Sequence, residues 1–287
     1  MSLMSKTRHV AAFNKEVMHK AAPSSALSRR FGSWALVTGA SDGIGLEIAR
    51  VLAQRGFHLL LVARRQDRLE ALCQELTSRC HVQCRAVIAD LSTDAGNVAV
   101  RKALAVHEVG LFVAAAGYGT SGPFANSSLT TELDMLRVNC AAVLTGVYDA
   151  AAQMRLRKSG AIVLFSSVVA FHGVAHSAHY AATKAWVQSL GEGLRLELGP
   201  EGIEVLVSAP GPVTTGFAQR AGMQMAQALS PQVVALRTVD AIGKTGFIRP
   251  GWLSKLLGWS LATLPRAARV RLMSQIMKGM VADVSKT

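Results

Sequence analysis

Thr38-Gly39-Ala40-Ser41-Asp42-Gly43-Ile44-Gly45 is the stretch that decides how this 287-residue chain is read. The apolar run Trp34–Thr38 leads into it, and a helix-like pattern, Gly45–Gln54, follows at once. Glycines let a backbone turn tightly and approach a bulky anion without a Cβ clash. The helix start beyond supplies unpaired N–H groups and a positive dipole end. Gly-rich strand–helix turns also occur without a ligand. A position after the first strand of a β-α-β unit is nevertheless where a dinucleotide pyrophosphate binds.

Outward from this loop the pattern is regular. Short apolar runs at Trp34–Thr38, His58–Val62, Val82–Ala89, Leu111–Ala114, Ala161–Ser166 and Ile203–Ser208 read as strands, with a last short one at Lys244–Arg249. Longer segments, Gly45–Gln54, Arg68–Arg79, Thr131–Met154 and Tyr180–Leu198, read as helices. Continuous rather than alternating hydrophobicity fits strands covered on both faces, hence a parallel sheet. The expected fold is therefore α/β, doubly wound, in a single domain. It spans 34–250, between a basic N-terminal extension, 1–33, and a basic amphipathic C-terminal extension, 251–287.

Composition narrows the class. Half the residues are hydrophobic and 17% are charged, which is incompatible with a disordered chain. No uninterrupted apolar run reaches the ~18 residues of a membrane-spanning helix. The net charge of +13 is unevenly placed: +5 in residues 1–33, +7 in 244–287 and only +1 between. Basic tails suit solubility or an anionic membrane surface, and no nucleic-acid module accompanies them, so nucleic acid is not expected as a partner. The four cysteines, Cys73, Cys80, Cys84 and Cys140, do not make a disulfide scaffold. Cys80, His81 and Cys84 lack the second ligand pair of a structural zinc site, so no metal is expected. The first 30 residues hold no secretory signal; their basic, Ser-containing character leaves organelle import as the alternative to a cytoplasmic location.

The second strand ends in Arg64-Arg65. An acid there selects the ribose 2′-hydroxyl of NAD, whereas a cation suits a 2′-phosphate. NADP(H) is favoured and NAD(H) is the alternative; a solvated strand end is the plain reading. Asp42, inside the glycine loop, opposes that phosphate if it points inward. Tyr180 and Lys184 are four apart in a helical pattern and share one face. A nearby ammonium, together with a positively charged oxidised nicotinamide, favours the phenolate and lowers a tyrosine pKa from its usual ~10. Ser167 closes a strand thirteen residues before Tyr180, and Asn139 lies 28 before that.

With these residues in place the sequence resembles the short-chain dehydrogenase/reductase family in its common form of about 250 residues. The Thr-Gly-x-x-x-Gly-x-Gly loop, the spaced Asn, Ser, Tyr and Lys, and Pro210-Gly211-Pro212-Val213-Thr214-Thr215 occur in family order over Trp34 to about Arg249. The resemblance implies a Rossmann-like fold and a hydride transfer between NADP(H) and a carbonyl or secondary alcohol. It implies that Tyr180 exchanges a proton with the substrate oxygen and that Ser167 hydrogen-bonds it. Lys184 would bind the nicotinamide ribose and tune Tyr180, and Asn139 would hold a relay water. Gly39, Ser41, Gly43, Ile44 and Gly45 would surround the diphosphate and its ribose, with Arg64 at the 2′-phosphate and Asp90 at the adenine. Pro210, Gly211, Val213 and Thr215 would line the nicotinamide. One departure stands out: the family's Asn-Asn-Ala-Gly at the fourth strand end is Ala114-Ala115-Ala116-Gly117 here, which removes two amide side chains.

The resemblance also implies a mobile lid after Thr215, where Met223 and Met225 suit an apolar substrate such as a steroid or 3-ketoacyl chain. His172, His176 and His179 either line the pocket or sit in exposed loops. The family suggests a homodimer or homotetramer. The segment Trp252–Trp259 and the basic helical pattern Ala267–Met280 fit an interfacial membrane helix, a subunit contact, or a helix packed over the cleft of its own domain. Rival readings are a non-catalytic NADP-binding scaffold and an epimerase or dehydratase on the same fold.

Overall fold

The computed structural model describes residues 25–222, 228–251 and 264–281. The first 24 residues, Met223, Met225 and the segment Trp252–Trp259 lie outside the described residues.

Seven parallel strands form one sheet: β1 Trp34–Thr38, β2 His58–Ala63, β3 Cys84–Ile88, β4 Val109–Ala114, β5 Gly160–Phe165, β6 Ile203–Ser208 and β7 Phe247–Ile248. Their order is β3-β2-β1-β4-β5-β6-β7. The chain winds outward from β1 in one direction, then crosses to β4 and winds outward in the other. The strand ends therefore diverge between β1 and β4 and leave a crevice at their carboxyl ends. The expected doubly wound α/β architecture is what the chain forms, with β7 cut to two residues.

The central strands alternate strictly between two buried layers even though nearly all of their inner positions are apolar. Ala35, Val37, Leu59, Leu61, Leu111, Val113, Ala161 and Val163 face one buried layer. Leu36, Leu60, Val62, Phe112, Ala114, Ile162 and Leu164 face the other. The first layer is closed by α2 Gly43–Gln54, α3 Gln66–Cys80 and α9 Pro231–Ala241, through residues such as Ile48, Leu52, Leu69, Val234 and Val239. The second is closed by α4 Asp94–Val106, α6 Ala142–Arg157 and α7 Ala178–Leu198. A short α1, Ala26–Phe31, precedes β1 and adds Phe31 to the first layer.

The long helix expected at Thr131–Met154 is interrupted. It runs as α5 Leu129–Leu136, a π-helical turn Arg137–Ala141 and then α6. Such wide turns insert an extra residue and re-aim a side chain. Here the re-aimed residue is Asn139, only 1% exposed. After β6 come the five-residue α8, Gly216–Arg220, then α9, and finally α10, Arg266–Met280. Of the three roles open to the C-terminal extension, α10 shows packing on its own domain. Met273 and Met277 are buried against Met135, Val169, Val174 and Tyr180, and Ser274 Oγ accepts from the Ala175 N–H at 2.9 Å. Among the described residues no helix is long and apolar enough to cross a membrane.

The helix carrying Tyr180 lies against the sheet because Gly191 has no side chain. A Cβ there would run into Val207 Cγ2 and stand 3.1 Å from Leu164 Cδ1. Gly191→Ala should therefore lower stability by about 1–3 kcal/mol through overpacking. The expected readout is a lower urea midpoint with an unchanged denaturant slope.

Candidate active site

The crevice between β1 and β4 is one continuous cavity of about 920 Å³. Gly39, Ser41, Asp42, Gly43, Ile44 and Gly45 form one wall, and Ala115 to Tyr118 form the floor beside it. Gly39 has φ +69° and Gly43 φ +56°, both in the left-handed region. A Cβ on Gly39 would sit 2.8 Å from Ala116 Cα, and one on Gly43 would sit 2.8 Å from Thr215 Cγ2. One on Gly45 would collide with the Gly39 carbonyl. The loop is thus a bare backbone cradle at the start of α2, the shape and polarity that a dinucleotide diphosphate requires.

The missing amides of Ala114-Ala115 do not leave this junction loose. Thr38 Oγ1 accepts from the Ala116 N–H at 3.1 Å and donates to the Val113 carbonyl at 3.4 Å. The glycine loop and the β4 end are therefore tied through backbone and one threonine.

The two arginines after β2 diverge. Arg65 reaches the glycine loop: its Nη2 donates to Ser41 Oγ at 3.0 Å and to the Ser41 carbonyl at 3.2 Å, and lies 3.5 Å from Asp42 Oδ2. Arg64, the residue expected at a 2′-phosphate, instead lies 3.6 Å from Asp90 Oδ2. Both line the cavity. A dipeptide does not reveal which way a strand end turns: Arg65 meets the loop, while Arg64 faces Asp90 on the same cavity wall. Burial raises the Asp90 pKa, but hydrogen bonds from the Ser92 N–H and hydroxyl, together with Arg64, outweigh it and hold the carboxyl below its usual range.

The structure brings Asn139, Ser167, Tyr180 and Lys184 together. Lys184 and Tyr180 are 8% and 9% exposed. The Lys184 ammonium donates to the Phe165 carbonyl at 2.9 Å and lies 5.9 Å from the Tyr180 ring centroid. Asn139 Oδ1 accepts from the Tyr118 N–H at 3.1 Å, and its amide donates to the Tyr118 carbonyl at 2.9 Å and Thr183 Oγ1 at 3.0 Å. Gly117 separates the two groups: a Cβ there would be 3.0 Å from Asn139 Oδ1 and 3.4 Å from Lys184 Nζ. Tyr118 and Thr183, unmarked in the sequence, are thus what hold Asn139. Pro210, Gly211, Val213 and Thr215 line the cavity as well. They are held by Leu229, whose N–H donates to the Pro212 carbonyl and whose carbonyl accepts from the Thr214 N–H, both at 2.9 Å.

One expectation is narrowed and another settled. The protein's own groups do not on balance lower Tyr180, which leaves the expected lowering to an oxidised nicotinamide. Desolvation pushes it up to about 12, against a lowering hydrogen bond with Ser167. The same burial pulls Lys184 down to about 8. None of His172, His176 and His179 lines the cavity. His172 is buried with neither ring nitrogen partnered, and His179 Nδ1 is 2.7 Å from the buried Glu132 carboxylate.

The far end of the cavity is apolar. Phe217 of α8 packs against Tyr180 with ring centroids 5.3 Å apart and planes tilted by 51°, and Met273, Ile276, Met277 and Met280 of α10 complete the wall.

The buried lysine has a measurable consequence. Its pKa falls from 10.5 to about 8 on folding. The unfolded chain therefore binds the extra proton between those values, and native stability rises with pH across that window. Lys184→Met removes this dependence. The melting-temperature difference between wild type and variant, read without nucleotide, should shift in favour of the wild type from pH 8 to pH 10.

Residues 33–226 match the family model for short chain dehydrogenases. A very-long-chain 3-oxoacyl-CoA reductase-like protein of Arabidopsis thaliana is 31% identical over 245 residues, 83% of this chain and 78% of that one. The human inactive hydroxysteroid dehydrogenase-like protein 1 is 30% identical over 226 residues, 76% of this chain and 68% of that one. Among solved structures, a short-chain dehydrogenase from Sphingobium yanoikuyae in complex with NADPH superposes with a TM-score of 0.74 at 32% identity, covering 87% of this chain and 98% of that one. With the seven-stranded sheet, the glycine cradle and the tetrad already in view, these likenesses place the chain in the short-chain dehydrogenase/reductase family, NAD(P)-dependent oxidoreductases of carbonyls and alcohols.

Proposed function

We propose that the protein is an NADP(H)-dependent reductase of an apolar ketone, a 3-ketoacyl thioester or a steroid-like compound. The observation that carries this reading is the polarity gradient along one cavity. Arg64, Arg65 and Ser41 stand at one end, Ser167, Tyr180 and Lys184 at the middle, and Phe217 with four α10 residues at the other. The names of the plant and human relatives, an oxoacyl-CoA reductase-like and a hydroxysteroid dehydrogenase-like protein, support an apolar substrate of this kind.

Each residue has a physical task. Ser41 and Arg65 already share hydrogen bonds across a half-exposed gap, and a 2′-phosphate would accept from the same donors. When bound, the nicotinamide supplies the hydride. Tyr180, protonated up to about pH 12, keeps a proton available for the substrate oxygen throughout the neutral range. Ser167, at the end of β5, offers its hydroxyl to the same oxygen and stabilises its developing charge. Lys184, cationic below about pH 8, places positive charge near the phenolate left when Tyr180 gives up its proton. Asn139, fixed on Tyr118, holds the floor between these groups.

Nucleotide titration followed by a carbonyl panel tests the reading. NADPH should bind more tightly than NADH, and Arg65→Ala should weaken NADPH by about tenfold while leaving NADH within about twofold. Turnover should favour long-chain 3-ketoacyl thioesters or steroid ketones over small diketones. Tyr180→Phe should reduce it at least about a hundredfold with NADPH binding retained. Binding without turnover on any carbonyl would instead favour the scaffold reading, and failure to bind either nucleotide would remove both.

A further inference from the structure

Asp42 sets a problem that the proposed function leaves open: a carboxylate stands inside a loop shaped for an anion. In the structure its Oδ2 is shared by two guanidinium groups. Arg65 Nη2 lies at 3.5 Å and Arg220 Nη2 at 3.7 Å. Neither distance is that of a hydrogen bond, so Asp42 itself holds each guanidinium Nη2 by charge alone, a contact that is cheap to break. Arg65 belongs to the strand end after β2. Arg220 comes from the opposite wall, at the end of α8, where its Nε donates to the Gly216 carbonyl at 3.3 Å.

The walls meet closely at this point. A Cβ on Gly43 would be 2.8 Å from Thr215 Cγ2, and one on Gly216 would be 2.7 Å from Asp42 Oδ2. Arg220 lines the same cavity as the glycine loop. Asp42 and Arg65 alone sum to zero charge; Arg220 makes the local sum +1. We propose that Arg220 is a diphosphate ligand, parked on Asp42 in the nucleotide-free protein and released to the dinucleotide diphosphate on binding.

The inference rests on the dinucleotide reading above and adds the residue that turns the loop's local charge from neutral to positive. A guanidinium leaving a loose, half-exposed carboxylate contact for a phosphate oxygen gains short charge-assisted hydrogen bonds. Asp42 then acts as a competitor for Arg220, so its neutralisation should tighten binding.

Calorimetric binding of two nucleotide fragments tests this without turnover. ADP-ribose carries the diphosphate and no 2′-phosphate, whereas adenosine 2′-monophosphate carries the reverse. Arg220→Ala should weaken ADP-ribose by roughly fivefold or more and leave adenosine 2′-monophosphate within about twofold; Arg220→Lys should recover part of the loss, and Asp42→Asn should tighten ADP-ribose. Equal ADP-ribose affinity in wild type and Arg220→Ala would overturn the assignment, as would an equal loss for both fragments or weaker ADP-ribose binding in Asp42→Asn. If wild type itself binds neither fragment, the dinucleotide reading fails and the inference with it.

Discussion

The site depends on how closely two backbones approach at the crevice between β1 and β4. Gly39 lies so near Ala116 that no side chain fits between them, and Thr38 bridges the two segments by hydrogen bonds. From that contact the chain runs through Gly117, which separates Asn139 from Lys184, to Tyr118, whose backbone amide and carbonyl hold the Asn139 side chain. At the next residue, Gly119 passes under Tyr180 and Phe217, where a Cβ would be 2.7 Å from the Phe217 ring. Residues 116–119 thus connect the nucleotide cradle to the tetrad, and Gly117 and Gly119 leave no room for a side chain on either side of Tyr118. Widening any of these contacts would move the cradle relative to Tyr180.

This arrangement carries an energetic cost that the fold must offset. Lys184 and Tyr180 are both buried, and burial disfavours the charged form of each, lowering one pKa and raising the other. In the protein without nucleotide the pair is therefore biased toward a neutral phenol and a weakly held ammonium proton. The covered parallel sheet supplies the compensating stability. Its two apolar layers account for most of the buried side chains, and the site occupies only the open carboxyl edge.

Much of this was legible in the residues. Apolar runs of five to six residues separated by helical patterns gave the doubly wound sheet, because strands covered on both faces need apolar side chains at every position. The glycine loop and the Asn, Ser, Tyr and Lys positions were legible because each needs a residue type that few alternatives can replace. What escaped was orientation. Arg64 and Arg65 differ by half a strand turn, and only packing decides that Arg65 meets Ser41. The break in the Thr131–Met154 helix escaped because a π-helical turn has no composition signal. The upward push of burial on Tyr180 escaped because a neighbouring lysine is visible in sequence, whereas full desolvation is not. The packing of α10 on its own domain was among the roles its sequence allowed, but methionines spaced along a basic helix also suit a membrane surface or a partner, and only the structure shows the contacts with Met135, Val169 and Tyr180.

A relative named inactive makes the point that the fold does not by itself guarantee chemistry. The relevant question is what a pure nucleotide-binding scaffold would need from this crevice. It would need the glycine cradle, Ser41 and a cation near the ribose. It would not need an ammonium buried beside a phenol, since a methionine or leucine at Lys184 would fill the same space without desolvating a charge. Nor would it need the π-helical turn that withdraws Asn139 from solvent and ties it to Tyr118. This chain carries both features, and the burial of the Lys184 ammonium works against the fold. Residues that work against the fold while converging on one point of a cavity are most simply explained by the work done at that point.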